Sequence, residues 1–222
     1  MWYIWILVAT EYFTKWVEAV PFQKAMGGVV ANFIKENIIV RFGVPHRIIS
    51  DNGTPFVNSD VRKMQEFYQV KHYRSSPYYP QGNGPAMAIN KVLIKIISKM
   101  SQEHIGGWAT HLPDAFWAYK KSPKSATGFS PFSLVYGTEV VSLAEVMTPS
   151  LRVIKIQGKE KEEEAFTVER CEDLKGLNER REEAQERSRR YIQRMTEAYG
   201  RMTKERVFAE GQLVLKMADY VR

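Results

Sequence analysis

Two short motifs at a fixed separation limit the folds that this chain can adopt. The first, IISDNGTPF at 48–56, has the pattern of an apolar strand that ends on Asp51 and turns at Asn52-Gly53. The second, PYYPQGNGPAMAINK at 77–91, is a Pro- and Gly-rich loop followed by a helix whose first turn carries Met87. Thirty-five residues separate Asp51 from Met87. The pattern predicts a carboxylate at a sheet edge and a helix that begins after a loop.

The distribution of charge indicates which part of the chain meets a partner. The chain has 222 residues, 44% of them hydrophobic, which is enough for one domain with a core and an appendage. Residues 1–158 hold 17 Lys and Arg against 10 Asp and Glu, whereas residues 159–222 hold 15 of each. The net charge of +7 therefore belongs to the first part of the chain. This favours a polyanionic partner, and the alternative is ordinary solubility charge.

The composition also excludes several classes of site. A single cysteine, Cys171, rules out a disulfide framework, and with only four histidines it gives no His/Cys zinc site. The apolar opening MWYIWILVAT is far shorter than the roughly 20 residues that span a bilayer. We therefore expect a buried strand there and no membrane partner.

Hydrophobic periodicity predicts a mixed α/β domain. Near-continuous or alternating apolar runs indicate strands, and apolar residues at three- and four-residue spacing indicate helices. The first two strands are expected to pair antiparallel. The predicted strands are Tyr3–Thr10, Phe13–Pro21, Arg47–Ser50 and Val70–Tyr73, and the predicted helices are Ala25–Phe42, Ser59–Tyr68, Pro85–Met100 and Gly107–Lys121.

The helix that follows the Gly-rich loop has two different faces. Its core stripe is predicted to contain Ile89, Val92, Leu93, Ile96, Ile97 and Met100. Met87, Lys91, Lys95 and Lys99 recur every four residues on another side. These lysines are either a solvated helix face or a basic ridge along which a nucleic-acid backbone lies.

These motifs resemble the catalytic core of retroviral and gypsy-type (plant LTR) retrotransposon integrases. The resemblance rests on SDNG, the 35-residue spacing and PYYPQGNG, together with YFTKWVEA at 12–19 and TGFSPFSLVYG at 127–137. It implies an RNase H-like α/β fold over residues 1–150, with a central mixed sheet flanked by helices. The family's first strand, with its first catalytic Asp, is expected upstream of the matched sequence.

The resemblance also implies a chemistry that this sequence supports only in part. Integrases of this family use two Asp and one Glu to hold two Mg²⁺ or Mn²⁺ ions for phosphoryl transfer. Asp51 matches the second Asp and Met87 stands at the Glu position, where a thioether is a poor ligand for a hard cation. We therefore expect weak metal binding and impaired catalysis. Glu11, Asp60 and Glu66 are the acids nearest in sequence that could compensate, and Asn52, Gly82 and Asn83 join the lysines as predicted DNA-binding residues.

The composition changes beyond residue 150. Residues 151–206 are predicted to be a charged linker and a long connecting helix. A narrow seam of seven-residue repeats predicts packing on a partner helix and a homo-oligomer. Phe208–Lys216 is interpreted as the first strand of a truncated SH3- or chromo-like barrel over 207–222. The seam residues are Ala184, Tyr191 and Ala198, with Ser188, Met195 and Met202 as a second row.

The sequence therefore predicts an integrase-derived protein that binds DNA, acts in the nucleus and is catalytically impaired. Two alternatives stay open. One is an active polynucleotidyl transferase completed by residues outside this chain. The other is a non-enzymatic interaction protein that uses its long helix.

Overall fold

Four strands form the sheet layer of the protein. The computed structural model describes residues 3–24, 27–75, 84–103, 107–141, 145, 147–148, 163–202 and 209–212. Strands β1 (Trp5–Thr10) and β2 (Val17–Phe22) pair antiparallel, as predicted. Strands β3 (Arg47–Ser50) and β4 (Lys71–Arg74) pair parallel. Within the described residues these pairs are two separate two-stranded sheets, so the predicted mixed sheet is divided between β1 and β3.

Strand β1 lies between two apolar clusters because its side chains alternate in direction. Ile6 and Val8 pack against one cluster, and Leu7 and Ala9 belong to the other. The prediction of a strand covered on both faces is therefore confirmed for residues 6–9. Ile48 of β3 also packs on the Leu7 cluster, which places both sheets over the same helices.

The helices follow the predicted order. A helical run comprises α1 (Gly27–Phe33), a π-helical segment (Ile34–Ile39) and α2 (Val40–Phe42), and it ends at Gly43 with φ of 88°. α1 and α3 cover the Leu7 cluster, and α4 and α5 cover the other cluster. The remaining helices are α3 (Ser59–Tyr68), α4 (Gly84–Glu103), a 3₁₀ turn (Trp108–His111), α5 (Leu112–Lys121), α6 (Pro131–Tyr136) and α7 (Glu163–Met202).

Two apolar residues on helices are exposed, and one of them, Val92, was predicted to lie in the core stripe. Val92 is 45% exposed because the buried line of α4 runs through Ile89, Leu93 and Ile97, and Val92 falls at its margin. Phe67 is 79% exposed at the end of α3 and contacts the ring of its neighbour Tyr68 edge-on.

The first half of α7 docks on the core instead of on a partner helix, which corrects the predicted role of Ala184. Ala184 is fully buried and Leu177 is 7% exposed. Gly137 ends α6 with φ of 82°, and a Cβ there would lie 3.2 Å from the Asp173 carbonyl oxygen. Arg181 Nε donates to the Leu134 carbonyl oxygen at 2.9 Å.

The structure describes only four residues of the predicted barrel strand, so the barrel itself stays a prediction. Residues 209–212 form a turn, in which Gln212 N donates to the Ala209 carbonyl oxygen at 3.2 Å. The remainder of Phe208–Lys216 lies outside the described residues. None of the described helices is both long enough and apolar enough to cross a membrane.

Candidate active site

Asp51 lies directly after β3, at the carboxyl end of the parallel sheet. Its side chain is exposed, and its Oδ1 accepts a hydrogen bond from Gly53 N at 2.9 Å. A Cβ at Gly53 would lie 2.9 Å from that same oxygen, so a larger residue there would displace the Asp51 carboxylate. The turn motif therefore presents a carboxylate to solvent with one oxygen engaged by the backbone.

The turn that carries Asp51 is fastened to the end of β4. Asn52 Nδ2 donates to the Ser75 carbonyl oxygen at 3.1 Å, and Ser75 N donates to the Ser50 carbonyl oxygen at 2.9 Å. Ser50 Oγ donates to the Asp51 carbonyl oxygen at 2.8 Å and lies 2.8 Å from His72 Nε2. Asn52, predicted to contact DNA, thus has a structural partner for its amide group.

His72 is a site residue that the sequence did not single out. Burial lowers the pKa of its imidazole, and Arg74 nearby lowers it further. A neutral ring is therefore favoured beside the Ser50 hydroxyl group. The register of the two parallel strands, which pairs Ile48 with His72 and Ser50 with Arg74, brings the ring there, and this long-range register is not readable from the sequence.

Met87 and the lysine ridge share the solvent side of α4. Met87 is 45% exposed, and Lys91, Lys95 and Lys99 are exposed as well. Ile89, Leu93 and Ile97 anchor the opposite side of the helix in the core. The two-faced helix is confirmed apart from Val92.

The loop that joins the two halves of the site is not described. Gly82 and Asn83 lie within residues 76–83, outside the described residues. The structure brings Asp51 and Asn52 together on one turn and Met87 with the lysines on one helix. The roles assigned to all these residues stay predictions.

The described acids do not form a metal centre. No group of three or more His, Cys, Asp or Glu side chains able to hold a cation occurs among the described residues. The Glu11 carboxylate accepts hydrogen bonds from Phe13 N at 3.0 Å and from Thr14 N and Oγ1 at 2.6 Å each, so it closes its own turn. One exposed carboxylate and a thioether do not fit a two-cation site, which needs several oxygen ligands.

Glu18 is a buried charge that the sequence analysis did not identify. Its carboxylate pairs with Arg41 at 2.6 Å and Lys120 at 3.2 Å, and it accepts from Trp16 Nε1 at 2.7 Å. Burial lowers the pKa of Lys120, while Glu18 opposes that shift. The cluster joins β2 to α2 and α5, and we assign it a structural role.

The basic residues at the end of α5 and just after it have partners within the protein. Lys120 lies 4.0 Å above the Trp16 ring in addition to its ion pair. Lys124 Nζ donates to the Tyr119 carbonyl oxygen at 2.7 Å and lies 3.4 Å from the centre of that ring. Burial lowers the pKa of Lys124 to about 8. Lys121 lies over the Trp117 ring at 4.3 Å.

The fold and the turn motif define the class of protein, an RNase H-like α/β core. Comparison with solved structures supports this fold. A simian T-cell lymphotropic virus intasome, determined in complex with the PP2A regulatory subunit B56 gamma, matches with a TM-score of 0.53 and 18% identity. The match covers 58% of this chain and 46% of that chain.

Sequence comparison then indicates which proteins with an RNase H-like core this chain resembles. Residues 2–80 match the family described as the Integrase core domain. The Gag-Pol polyprotein of avian reticuloendotheliosis virus is 35% identical over 135 residues, which are 61% of this chain and 12% of that polyprotein. The Gag-Pol polyprotein of gibbon ape leukemia virus is 28% identical over 155 residues, 68% of this chain and 9% of its own length.

These comparisons show that residues 2–80 are similar to an integrase core, and the relatives named above are viral polyproteins. The matching segment contains β1 to β4 and the Asp51 turn. The chain spans about a tenth of the length of these polyproteins, so their whole activities do not transfer to it directly.

Proposed function

We propose that this protein is an integrase-derived DNA-binding protein with impaired phosphoryl-transfer chemistry. The observation that carries the proposal is the exposed row of Met87, Lys91, Lys95 and Lys99 on α4, in a chain whose residues 2–80 match an integrase core. A row of lysines spaced one helical turn apart suits the regularly spaced phosphates of a nucleic-acid backbone. The match of residues 2–80 to an integrase core domain supports DNA as the nucleic acid.

The impairment of phosphoryl transfer follows from the few metal ligands that this chain offers. Phosphoryl transfer by the resembled integrases would need two divalent cations, Mg²⁺ or Mn²⁺, and several carboxylate oxygens would have to hold them. Here Asp51 offers one carboxylate, and the side chain of Met87 offers no oxygen. We therefore assign this chain binding and positioning of DNA, with weak binding of a single cation.

Three narrower assignments belong to the same proposal. The segments YFTKWVEA and TGFSPFSLVYG favour an origin in a gypsy-type element of plants. The organisation is a core over 1–150, a linker and helix over 151–206, and the start of a barrel over 207–222. With DNA as its partner, the protein is expected to act in the nucleus.

Titration of DNA binding at several salt concentrations tests this function. We expect the logarithm of the association constant for duplex DNA to fall linearly with the logarithm of salt. The Lys91→Ala/Lys95→Ala variant should bind more weakly, with a slope shallower by about two phosphate contacts. Fluorescence anisotropy of labelled duplex measures both quantities.

A matched variant controls for the loss of charge. Lys35 and Lys63 are also exposed, but they lie on the helices that cover the Leu7 cluster, on the other face of β1. Lys35→Ala/Lys63→Ala should leave the slope unchanged. Equal weakening by both double variants, or none by either, would contradict the α4 surface as the binding site.

A second candidate is a working transferase completed by residues outside this chain. β1 and β3 pack on one cluster without hydrogen bonding to each other, and Thr10 Oγ1 at the end of β1 is buried without a partner among the described residues. Both observations suit an added strand between the two sheets. Nicking of DNA that depends on Asp51 distinguishes this candidate from the first.

A further inference from the structure

Helix α7 carries a row of charges whose sequence spacing is symmetric. Four glutamates in its first half are separated by seven, four and three residues, and four arginines in its second half are separated by three, four and seven. Steps of three, four and seven residues keep side chains on one side of a helix. The row consists of Glu172, Glu179, Glu183 and Glu186, followed by Arg187, Arg190, Arg194 and Arg201.

Each residue of the row is exposed to solvent, and Arg187 also borders the core. All eight residues are exposed, and the side chains of Glu183, Glu186, Arg187 and Arg190 keep between 50% and 69% of their accessible surface. The docked face of α7, which contains Leu177 and Ala184, points elsewhere. The core borders this charged side at Arg187, whose guanidinium lies 5.6 Å from the centre of the Phe129 ring and still keeps about half of its accessible surface.

We propose that two copies of this chain associate through antiparallel pairing of their α7 helices. In each matched pair of the row the two residue numbers add to 373, so a twofold axis between Glu186 and Arg187 places every glutamate opposite an arginine of the other copy. The pairs are Glu172 with Arg201, Glu179 with Arg194, Glu183 with Arg190, and Glu186 with Arg187. The proposal is independent of DNA binding.

The overall charge of the helix supports the same partner and orientation. Residues 163–186 hold nine acidic and four basic residues, whereas residues 187–202 hold five basic residues and one acidic residue. Antiparallel pairing brings each acidic half against a basic half, whereas parallel pairing would place like charges together. A second copy is thus a complementary partner for this helix.

Ion pairs within each helix already hold the central charged side chains on the side proposed to pair. Arg187 pairs with Glu183 at 2.6 Å and Arg190 with Glu186 at 3.0 Å within one chain. In the dimer each of these glutamates also meets an arginine of the other copy. Ion pairs at an exposed interface are individually weak and screened by salt, so the dimer is expected to be reversible and salt-sensitive.

In the proposed dimer, the cores of the two copies lie at different positions along the paired helices. The core contacts α7 through residues 173–187, and in the antiparallel arrangement these lie opposite residues 186–200 of the other helix. The overlap of 30 residues from 172 to 201 is about 45 Å long. Each core therefore lies beside the basic half of the other copy's helix.

Sedimentation velocity on the full chain tests the association. We expect a dimer at about 0.05 M salt that dissociates at about 0.5 M. Glu183→Arg should raise the dissociation constant about tenfold or more, because two symmetry-related contacts become repulsive. Gln185→Arg is the control, since this exposed residue points about 100° or more away from every residue of the row and should leave dimerisation nearly unchanged.

Complementary variants distinguish pairing from a loss of folding. Glu183→Arg/Glu186→Arg alone and Arg187→Glu/Arg190→Glu alone should each be monomeric, because their central charges repel. Mixed in equal amounts they should form a heterodimer, because every central pair is again opposite in charge. Monomers in the mixture, from proteins with unchanged helical circular dichroism, would overturn the proposal.

The single cysteine reports the direction of the helices. Cys171 is exposed and lies outside the charged row, so a spin label there does not disturb it. In the antiparallel dimer the two Cys171 backbones lie about 45–50 Å apart, whereas parallel alignment gives about 10 Å. The long distance by pulsed electron resonance supports the proposal. A short distance, or a protein that stays monomeric at low salt, refutes it.

Discussion

At the scale of single residues, the Asp51 carboxylate needs further oxygen ligands beside it to hold catalytic cations. Asp51 is placed by a short strand and a glycine turn, both readable from the sequence because Asn-Gly after an apolar run is a specific turn signal. The sequence also predicts the exposed Met87. The ion pairs of Glu18 and the position of His72 could not be predicted, because their partners are distant in sequence.

Restoring an oxygen ligand tests where the site lies. Met87→Glu should raise the affinity for Mn²⁺, because a hard carboxylate replaces a thioether on the helix proposed to face Asp51. Isothermal titration calorimetry measures the change, and Met87→Gln controls for side-chain size without adding charge. Equal affinity in the Glu and Gln variants would argue against placing Met87 in a site with Asp51.

Glu18 offers a test of the buried charge cluster. Glu18→Gln should lower the free energy of unfolding by about 2–4 kcal/mol, because the half-buried Lys120 and Arg41 lose their counter-charge. Urea unfolding measures this difference. The exposed Glu66→Gln should change it by less than about 0.5 kcal/mol. Similar effects of the two variants would show that the cluster contributes little.

At the scale of elements, the local sequence pattern predicts which strands and helices form. It does not predict which elements pack against each other. The strands and helices of the core follow from their apolar periods. The docking of α7 does not, since Arg180 and Arg181 bind carbonyl groups at the end of α6 more than 40 residues away. Nothing in the periodicity of residues 170–206 distinguishes a face that packs on its own core from one that packs on a partner.

Arg181 tests this docking. Arg181→Ala should speed amide exchange over residues 173–187 and lower stability by about 1–2 kcal/mol, because it removes charged hydrogen bonds to Leu134 and Val135. Hydrogen–deuterium exchange followed by mass spectrometry resolves the segment. Arg189→Ala, an exposed change on the same helix, is the control. Unchanged exchange in the Arg181 variant would mean that apolar packing alone holds α7.

At the scale of the whole molecule, two apolar clusters on opposite faces of β1 hold the helices in place around the sheets. The sequence predicts these layers because β1 is apolar on both faces and the flanking helices are amphipathic. It does not predict that β1 and β3 are unpaired with each other in the described residues, since strand neighbours depend on long-range pairing. Whether another segment supplies a strand between β1 and β3 distinguishes a completed transferase from an impaired DNA-binding protein.

Mn²⁺-dependent nicking and strand transfer on duplex DNA test the central claim most directly, with the chain compared with its Asp51→Asn variant. We predict no turnover by either protein, with salt-dependent DNA binding retained by both, because one carboxylate does not form a two-cation site. Turnover by the unaltered chain that is lost in Asp51→Asn would contradict this account and show that other carboxylates complete the site.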